Sequence, residues 1–241
     1  MTLKGKNILI TGSARRIGRH LALAVAKEGG NIILHHAHSP VDAQNTSLEI
    51  EKQGVNVTII EADLNDPISY TKILPDFIKS HNIFALVNSA AIFEPLSLGD
   101  VTLESWNRHL NINLTAPFFL SQAFIQAVPT GSSGRIVNIV DWRALRPGSD
   151  HLPYTISKSA LIALTQSLAV SAAPNITVNA LALGAVLPPS DGGSAEKMLH
   201  LVPSKRLVEL DEVSDSLLFL LDGPSSITGE VIHVDGGRHL L

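Results

Sequence analysis

Apolar positions along the chain follow two periods. Short runs of β-branched and aliphatic residues alternate with longer segments whose apolar positions recur at helical spacing. The runs predict strands over Asn7–Thr11, Asn31–His35, Asn56–Glu61, Ala85–Asn88, Arg135–Val140, Thr177–Ala182 and Glu230–Val234. Segments such as RRIGRHLALAVAKEG and YTISKSALIALTQSLAVSAA predict amphipathic helices between them. Strands that are apolar on both faces, with helices between, indicate a parallel sheet covered on both sides. Right-handed crossovers make this an α/β, Rossmann-type, doubly wound sheet. No linker or repeat divides residues 1–241, so a single domain is expected. The Pro/Gly/Ser-rich piece LPPSDGGSAEK follows a strand, at the sheet edge where ligands bind, and predicts a substrate flap around 185–205.

Composition narrows the function classes. The 241 residues are 45% hydrophobic, enough for one large core. A net charge of −4 gives no general attraction to nucleic acid or membrane surfaces. The lack of cysteine excludes disulfides, thiolate metal sites and cysteine nucleophiles. No apolar run approaches the ~18 residues of a membrane span, and the N-terminal MTLKGKNILITG lacks the form of a signal peptide. A cytoplasmic protein is expected.

The first strand runs through a glycine turn into a helix, in NILITGSARRIGRHLA. Gly12 permits the sharp turn and Gly18 a close helix–strand approach, while the helix start offers free N–H groups to a pyrophosphate. The spacing is TGxxxxxG, with Arg16 where a middle glycine is expected. About 20 residues after such a turn an acid would bind the ribose 2′-hydroxyl of NAD. Here LHHAHSP, residues 34–40, has none, and Arg15, His38 and Ser39 suit a 2′-phosphate. NADP(H) is therefore predicted over NAD(H). His35, His36 and His38 raise a metal site as the alternative. Neighbouring strand residues point to opposite faces and no carboxylate cluster accompanies them, so no metal is expected.

Tyr154 and Lys158 share a helix face. An ammonium beside the phenol is expected to lower its pKa and make it an acid or base near neutrality. With these residues in place the chain resembles the short-chain dehydrogenase/reductase family over essentially its whole length. The matching pieces are TGSARRIG, the ADL at 62–64, NSAA at 88–91, NINLTAP at 111–117, YTISK at 154–158, VNALALG at 178–184 and ITGEVIHVDGG at 227–237. The resemblance implies Tyr154 as proton donor, Lys158 on the nicotinamide ribose, and Asn113 positioning a relay water. It implies a cofactor site of Gly12, Ser13, Arg15, Arg16, Ile17, Gly18, His36, His38, Ser39, Asp63, Leu64, Asn88, Ser89, Ala90, Gly184 and Val186, with Tyr154 and Lys158. Asp63 and Leu64 would flank the adenine. It also implies a homotetramer, for which ALIALTQSLAVSAA, apolar on more than one face, is suited.

Three positions depart from the family pattern: Arg16 for a glycine, Leu183 for the proline before Gly184, and Asp141 for the catalytic serine thirteen residues before Tyr154. An ionised aspartate repels the alkoxide that forms in ketone reduction, where a serine would donate to it. Reduction of a C=N bond needs a proton on nitrogen instead, and a desolvated carboxyl can relay one. Asp141, Tyr154, Lys158 and the RRIG turn resemble the pteridine reductase branch of the family and the bacterial dihydromonapterin/dihydrofolate reductases. That branch places an aromatic after the fourth strand, matched by Phe93, and the resemblance puts a pterin between nicotinamide and Phe93 with Arg16, Asp141 and Tyr154 around it. The expected activity is NADPH-dependent reduction of a pterin, dihydropterin or dihydrofolate C=N bond. The alternatives are a carbonyl reductase acting on a ketone, 3-oxoacyl thioester or quinone, and a non-enzymatic NADP(H)-binding regulator.

Overall fold

The computed structural model describes residues 3–187, 199 and 201–241. All seven predicted strands form, with ends within two residues of those expected: β1 (Asn7–Ile10), β2 (Asn31–His36), β3 (Val57–Glu61), β4 (Ile83–Asn88), β5 (Gly134–Asp141), β6 (Ile176–Leu183) and β7 (Val231–Val234). The helices are α1 (Arg16–Lys27), α2 (Pro40–Glu51), α3 (Leu74–Ser80), α4 (Leu103–Leu110), α5 (Ala116–Ala127), α6 (Leu152–Ala172) and α7 (Leu210–Asp222). The sheet order is β3-β2-β1-β4-β5-β6-β7, and every pairing is parallel. The chain winds outward from β1 to β3, then returns to the other side of β1 as β4. That reversal opens a crevice at the carboxyl ends of β1 and β4.

Alternation along each strand feeds two cores. Ile8 and Ile10 of β1 point to one face, where they pack with Leu21 and Val25 of α1 and Leu217 and Leu221 of α7. Leu9 points to the other, with Leu74 and Ile78 of α3 and Phe124 of α5. In the central strands both faces are buried, which is why they read as apolar runs. The first residue of β5, Gly134, leaves room for Phe124: a Cβ there would lie 2.9 Å from its ring.

Of the predicted flap, residues 188–198 and 200 lie outside the described residues. Its described ends are anchored: Val186 and Val202 are buried, and the Val208 N–H donates to the Ala185 carbonyl. Among the described residues no helix is long and apolar enough to cross a membrane.

Candidate active site

The turn after β1 is fixed from three sides. Thr11 donates its N–H to the Val87 carbonyl, and its hydroxyl oxygen accepts from the N–H groups of Ser89 and Ala90, tying the end of β1 to the end of β4. Gly12 sits at φ +67°, and a Cβ on it would meet Ala90 Cα at 2.9 Å. A Cβ on Gly18 would come within 2.3 Å of the Gly12 carbonyl oxygen. The third restraint is His35, fully buried on β2. Its Nδ1 accepts from the Gly12 N–H at 3.1 Å, and its Nε2 lies 2.9 Å from the Ala62 carbonyl. One nitrogen accepts and the other donates, so the ring is the neutral Nε2–H tautomer. Burial pushes its pKa down from 6.5 to about 4. Arg16, at φ +54°, occupies the left-handed region that favours glycine. α1 starts without a side-chain cap, leaving its first N–H groups free for an anion.

A cavity of about 670 Å³ opens beyond this turn. Of the predicted cofactor residues, Gly12, Arg15, Arg16, Ile17, Gly18, His36, His38, Ser39, Asp63, Leu64, Ser89, Ala90 and Tyr154 line it, joined by Phe93, Arg108 and Ile112. Ser13, Asn88, Lys158, Gly184 and Val186 are not part of its wall. Ser13 is buried inside the turn, with its hydroxyl donating to the Ile10 carbonyl. Asn88 donates to Asn138 Oδ1, a buried amide pair across β4 and β5. Gly184 lies where a Cβ would meet Asp235 Cα at 2.7 Å. At the end of β2, His38 Nε2 lies 3.3 Å from Asp63 Oδ2, so the histidine expected to face a 2′-phosphate leans on the residue expected beside the adenine. His36 Nδ1 is buried against the cavity without a hydrogen-bond partner. The uncapped helix start, the glycine cradle and this unpaired nitrogen fit a dinucleotide. Among the described residues no cluster of three His, Asp or Glu is placed to hold a metal.

Beside the inner end of the cavity, β5 ends on Asp141. Its Oδ1 accepts from the Arg143 N–H at 2.8 Å, and its Oδ2 accepts from the Tyr154 hydroxyl at 3.1 Å. Desolvation raises the pKa of Asp141, against the pull of the Arg143 N–H, the Tyr154 hydroxyl and the charges of Arg143 and Lys158. The expectation of a lowered Tyr154 pKa is overturned. Burial raises it well above 10, and the Asp141 carboxylate raises it further. Lys158 does not offset this: its Nζ donates to the Ile139 carbonyl at 2.7 Å and lies 5.8 Å from the tyrosine ring centre. Burial lowers its own pKa to about 8, and Asp141 opposes the drop.

Asn113 lies in a π-helical turn, Asn111–Thr115, between α4 and α5. It clamps the backbone of Ile92, accepting from its N–H at 3.0 Å and donating to its carbonyl at 3.1 Å. Its Nδ2 also donates to Ser157 Oγ, which donates to the Tyr154 carbonyl. Asn113 thus sets the chain one residue before Phe93. Phe93 is 53% exposed, meets Tyr154 edge-on at 4.6 Å, and stacks on His151 at 3.9 Å with planes 12° apart. His151 Nδ1 lies 3.0 Å from Asp150 Oδ2, and Asp150 Oδ1 accepts from Arg143 at 2.7 Å. Sequence reading missed His35 as a pin, together with His151, Arg143 and Asp150. The run HLPYTISK carried a signal only for His151, one helical turn before Tyr154.

Comparison with known proteins agrees with this geometry. The family described as "Enoyl-(Acyl carrier protein) reductase" matches residues 12–239. L-xylulose reductase of Caenorhabditis elegans is 34% identical, covering 96% of this chain and 95% of its own. The 3-oxoacyl-[acyl-carrier-protein] reductase of Synechocystis is 30% identical, covering 95% of each. The crystal structure of FolM alternative dihydrofolate reductase 1 from Brucella canis, complexed with NADP, superposes with a TM-score of 0.89 at 31% identity, covering 100% of this chain and 97% of that one.

Proposed function

This chain belongs to the short-chain dehydrogenase/reductase family, and we propose that within it the protein reduces the C=N bond of a pterin, dihydropterin or dihydrofolate. It is an oxidoreductase and its cofactor is NADP(H), as in the Brucella protein. The observation that carries the substrate reading is the hydrogen bond between Asp141 and Tyr154, 3.1 Å long, with the Phe93 ring edge-on to the same tyrosine. A carboxyl stands where carbonyl chemistry wants a hydroxyl donor, and an aromatic stands beside it.

When bound, the cofactor supplies hydride to the substrate carbon. The protein manages the proton. Asp141 and Tyr154 share one across their hydrogen bond, and burial raises the proton affinity of both. Tyr154, raised well above 10, keeps it at neutral pH. A ring nitrogen gaining electron density is the stronger base, and Tyr154 or Asp141 donates to it. Lys158, held by Ile139 with a pKa near 8, remains mostly cationic at neutrality. Its charge favours the anion left behind. Asn113 fixes Ile92 and thereby the Phe93 platform, and Arg16 contributes a cation at the cavity wall.

Two relatives named for L-xylulose and 3-oxoacyl thioester reduction favour a second reading, carbonyl reduction with Asp141 tolerated. NADPH oxidation over dihydrobiopterin, dihydromonapterin, dihydrofolate, an acetoacetyl thioester and a quinone separates the two. Turnover confined to pterins and abolished in Asp141→Ser supports C=N reduction. Turnover on the thioester or quinone alone rejects it, and cofactor binding with no turnover points to a regulator. We also propose a cytoplasmic homotetramer. Val170, 82% exposed on α6, and the exposed Ile156 present an apolar second face for a partner, and light scattering reads the mass.

A further inference from the structure

The segment after Asp141 carries a charge pattern that the proton chemistry does not use. Trp142–Ala144 forms a 3-10 turn, and the C-terminal turn Arg238–Leu240 packs against it. The indole of Trp142 gathers two guanidiniums, with Arg238 Cζ 4.4 Å and Arg143 Cζ 5.0 Å from its ring centre. Arg146 is close enough that its charge, with that of Arg143, adds to burial in lowering the proton affinity of Arg238. Of these three arginines, only Arg143 has a carboxylate in ion-pair contact among the described residues, Asp150. Two further acids near the cluster are occupied: Asp141 by Tyr154 and the Arg143 N–H, and Asp235 by the Gly237 and His239 N–H groups and the His239 ring. Arg238 spends one N–H on the Leu201 carbonyl, and Arg146 is exposed.

Two guanidiniums therefore stack on one indole, with a third arginine close by, in a protein whose net charge is −4. They do so at the mouth of the substrate site, since Arg143 Cζ lies 5.9 Å from the Phe93 ring centre. Crowded cations repel one another, and an anion between them relieves the repulsion. Stacking on tryptophan also restricts two of the side chains in advance, so less entropy is lost when they bind.

We propose that Arg143 and Arg238, stacked on Trp142, together with the exposed Arg146 nearby, form a subsite for an anionic tail on the substrate, outboard of the ring that lies against Phe93. The inference rests on the pterin reading and extends it: the natural substrate carries a carboxylate or phosphate on its side chain rather than a neutral polyol. Trp142 supplies an apolar wall along which the tail runs, and the guanidiniums take its oxygens through paired N–H donors.

Steady-state kinetics on dihydroneopterin, dihydroneopterin triphosphate and dihydrofolate tests this, because the first two share one ring and side chain and differ by the anionic triphosphate. The expected result is a lower KM for a charged substrate than for dihydroneopterin, rising with ionic strength. In Arg146→Met/Arg238→Met that KM rises about tenfold, while kcat on it and the KM for dihydroneopterin stay within about twofold. Arg146→Met alone, at an exposed position, gives a smaller change in the same direction. A response confined to dihydrofolate identifies a carboxylate tail, and one confined to the triphosphate a phosphate. If dihydroneopterin is reduced but the charged forms are indifferent to both arginines and to salt, the subsite is overturned and the pterin reading stands. If no pterin is reduced and a ketone is, both fall together.

Discussion

Lowering the pH from 7 to 4 titrates the buried imidazole on which the cofactor turn depends. His35 is neutral in the folded protein, with Nδ1 accepting from Gly12 and Nε2 donating to Ala62. Protonation puts a hydrogen on Nδ1, which then opposes the Gly12 N–H, and places a charge at a buried position. In the unfolded chain the same histidine titrates near 6.5, and in the fold near 4. The folded pKa is depressed, so the unfolded state takes up the proton first. Stability is complete above pH 6.5 and is lost as pH falls through 6.5 toward 4. The shift corresponds to about 3 kcal/mol, at ~1.4 kcal/mol per pH unit. That is a large part of a typical domain stability of ~5–15 kcal/mol. Carboxylates also titrate over this range, so the control is His35→Gln, whose amide retains a donor and an acceptor but does not titrate. Urea unfolding of both proteins at pH 7 and pH 4, at one protein concentration, isolates the histidine. The wild type is expected to lose about 3 kcal/mol more than the variant over that interval. Parallel losses in the two proteins would refute the assignment of His35 as a neutral pin.

Other substitutions probe the remaining site. Arg16→Gly removes a left-handed arginine and is expected to gain about 1 kcal/mol, seen as a Tm increase of about 2–4 °C by calorimetry, while KM for the heterocycle rises. Asn113→Ala leaves the N–H and carbonyl of Ile92 unpaired and is expected to cost about 2–4 kcal/mol in urea unfolding, with a fall in kcat as Phe93 loses its support. Asp141→Ser removes the charge that props up the Lys158 pKa. The ammonium then deprotonates below its present value of about 8, and the basic limb of any residual kcat/KM profile moves to lower pH. A basic limb that stays in place would mean that Asp141 and Lys158 do not interact.

Much of the fold was legible because the signal is repeated. The central strands are buried on two faces, so Ile8, Leu9 and Ile10 are all apolar although they feed different cores. The glycine turn was legible in kind: the close approaches at Gly12 and Gly18 are what a TGxxxxxG turn between strand and helix requires. His35 was not. In the sequence it is one of three histidines near the end of a strand, and only the pairing of β1 with β2 brings Gly12 within reach of its ring. The basic rim was hidden for the same reason, since about ninety residues separate Arg146 from Arg238.

The misjudged tyrosine shows where spacing stops informing. Four residues on a helix place Tyr154 and Lys158 on one face, and that much held. Spacing does not say which oxygen the ammonium chooses. Lys158 turns to the Ile139 carbonyl, a neutral partner, while the tyrosine hydroxyl donates to a charged group, and that group is negative. With serine at position 141 the phenol would face a neutral donor, and the lysine charge would govern its proton affinity. With aspartate the sign of the local field reverses, and the tyrosine keeps its proton. A hydroxyl that keeps its proton at neutral pH is a poor base for oxidising an alcohol but an adequate donor to a ring nitrogen. The same substitution that weakens one direction of the family's chemistry therefore suits the reduction of a heterocycle.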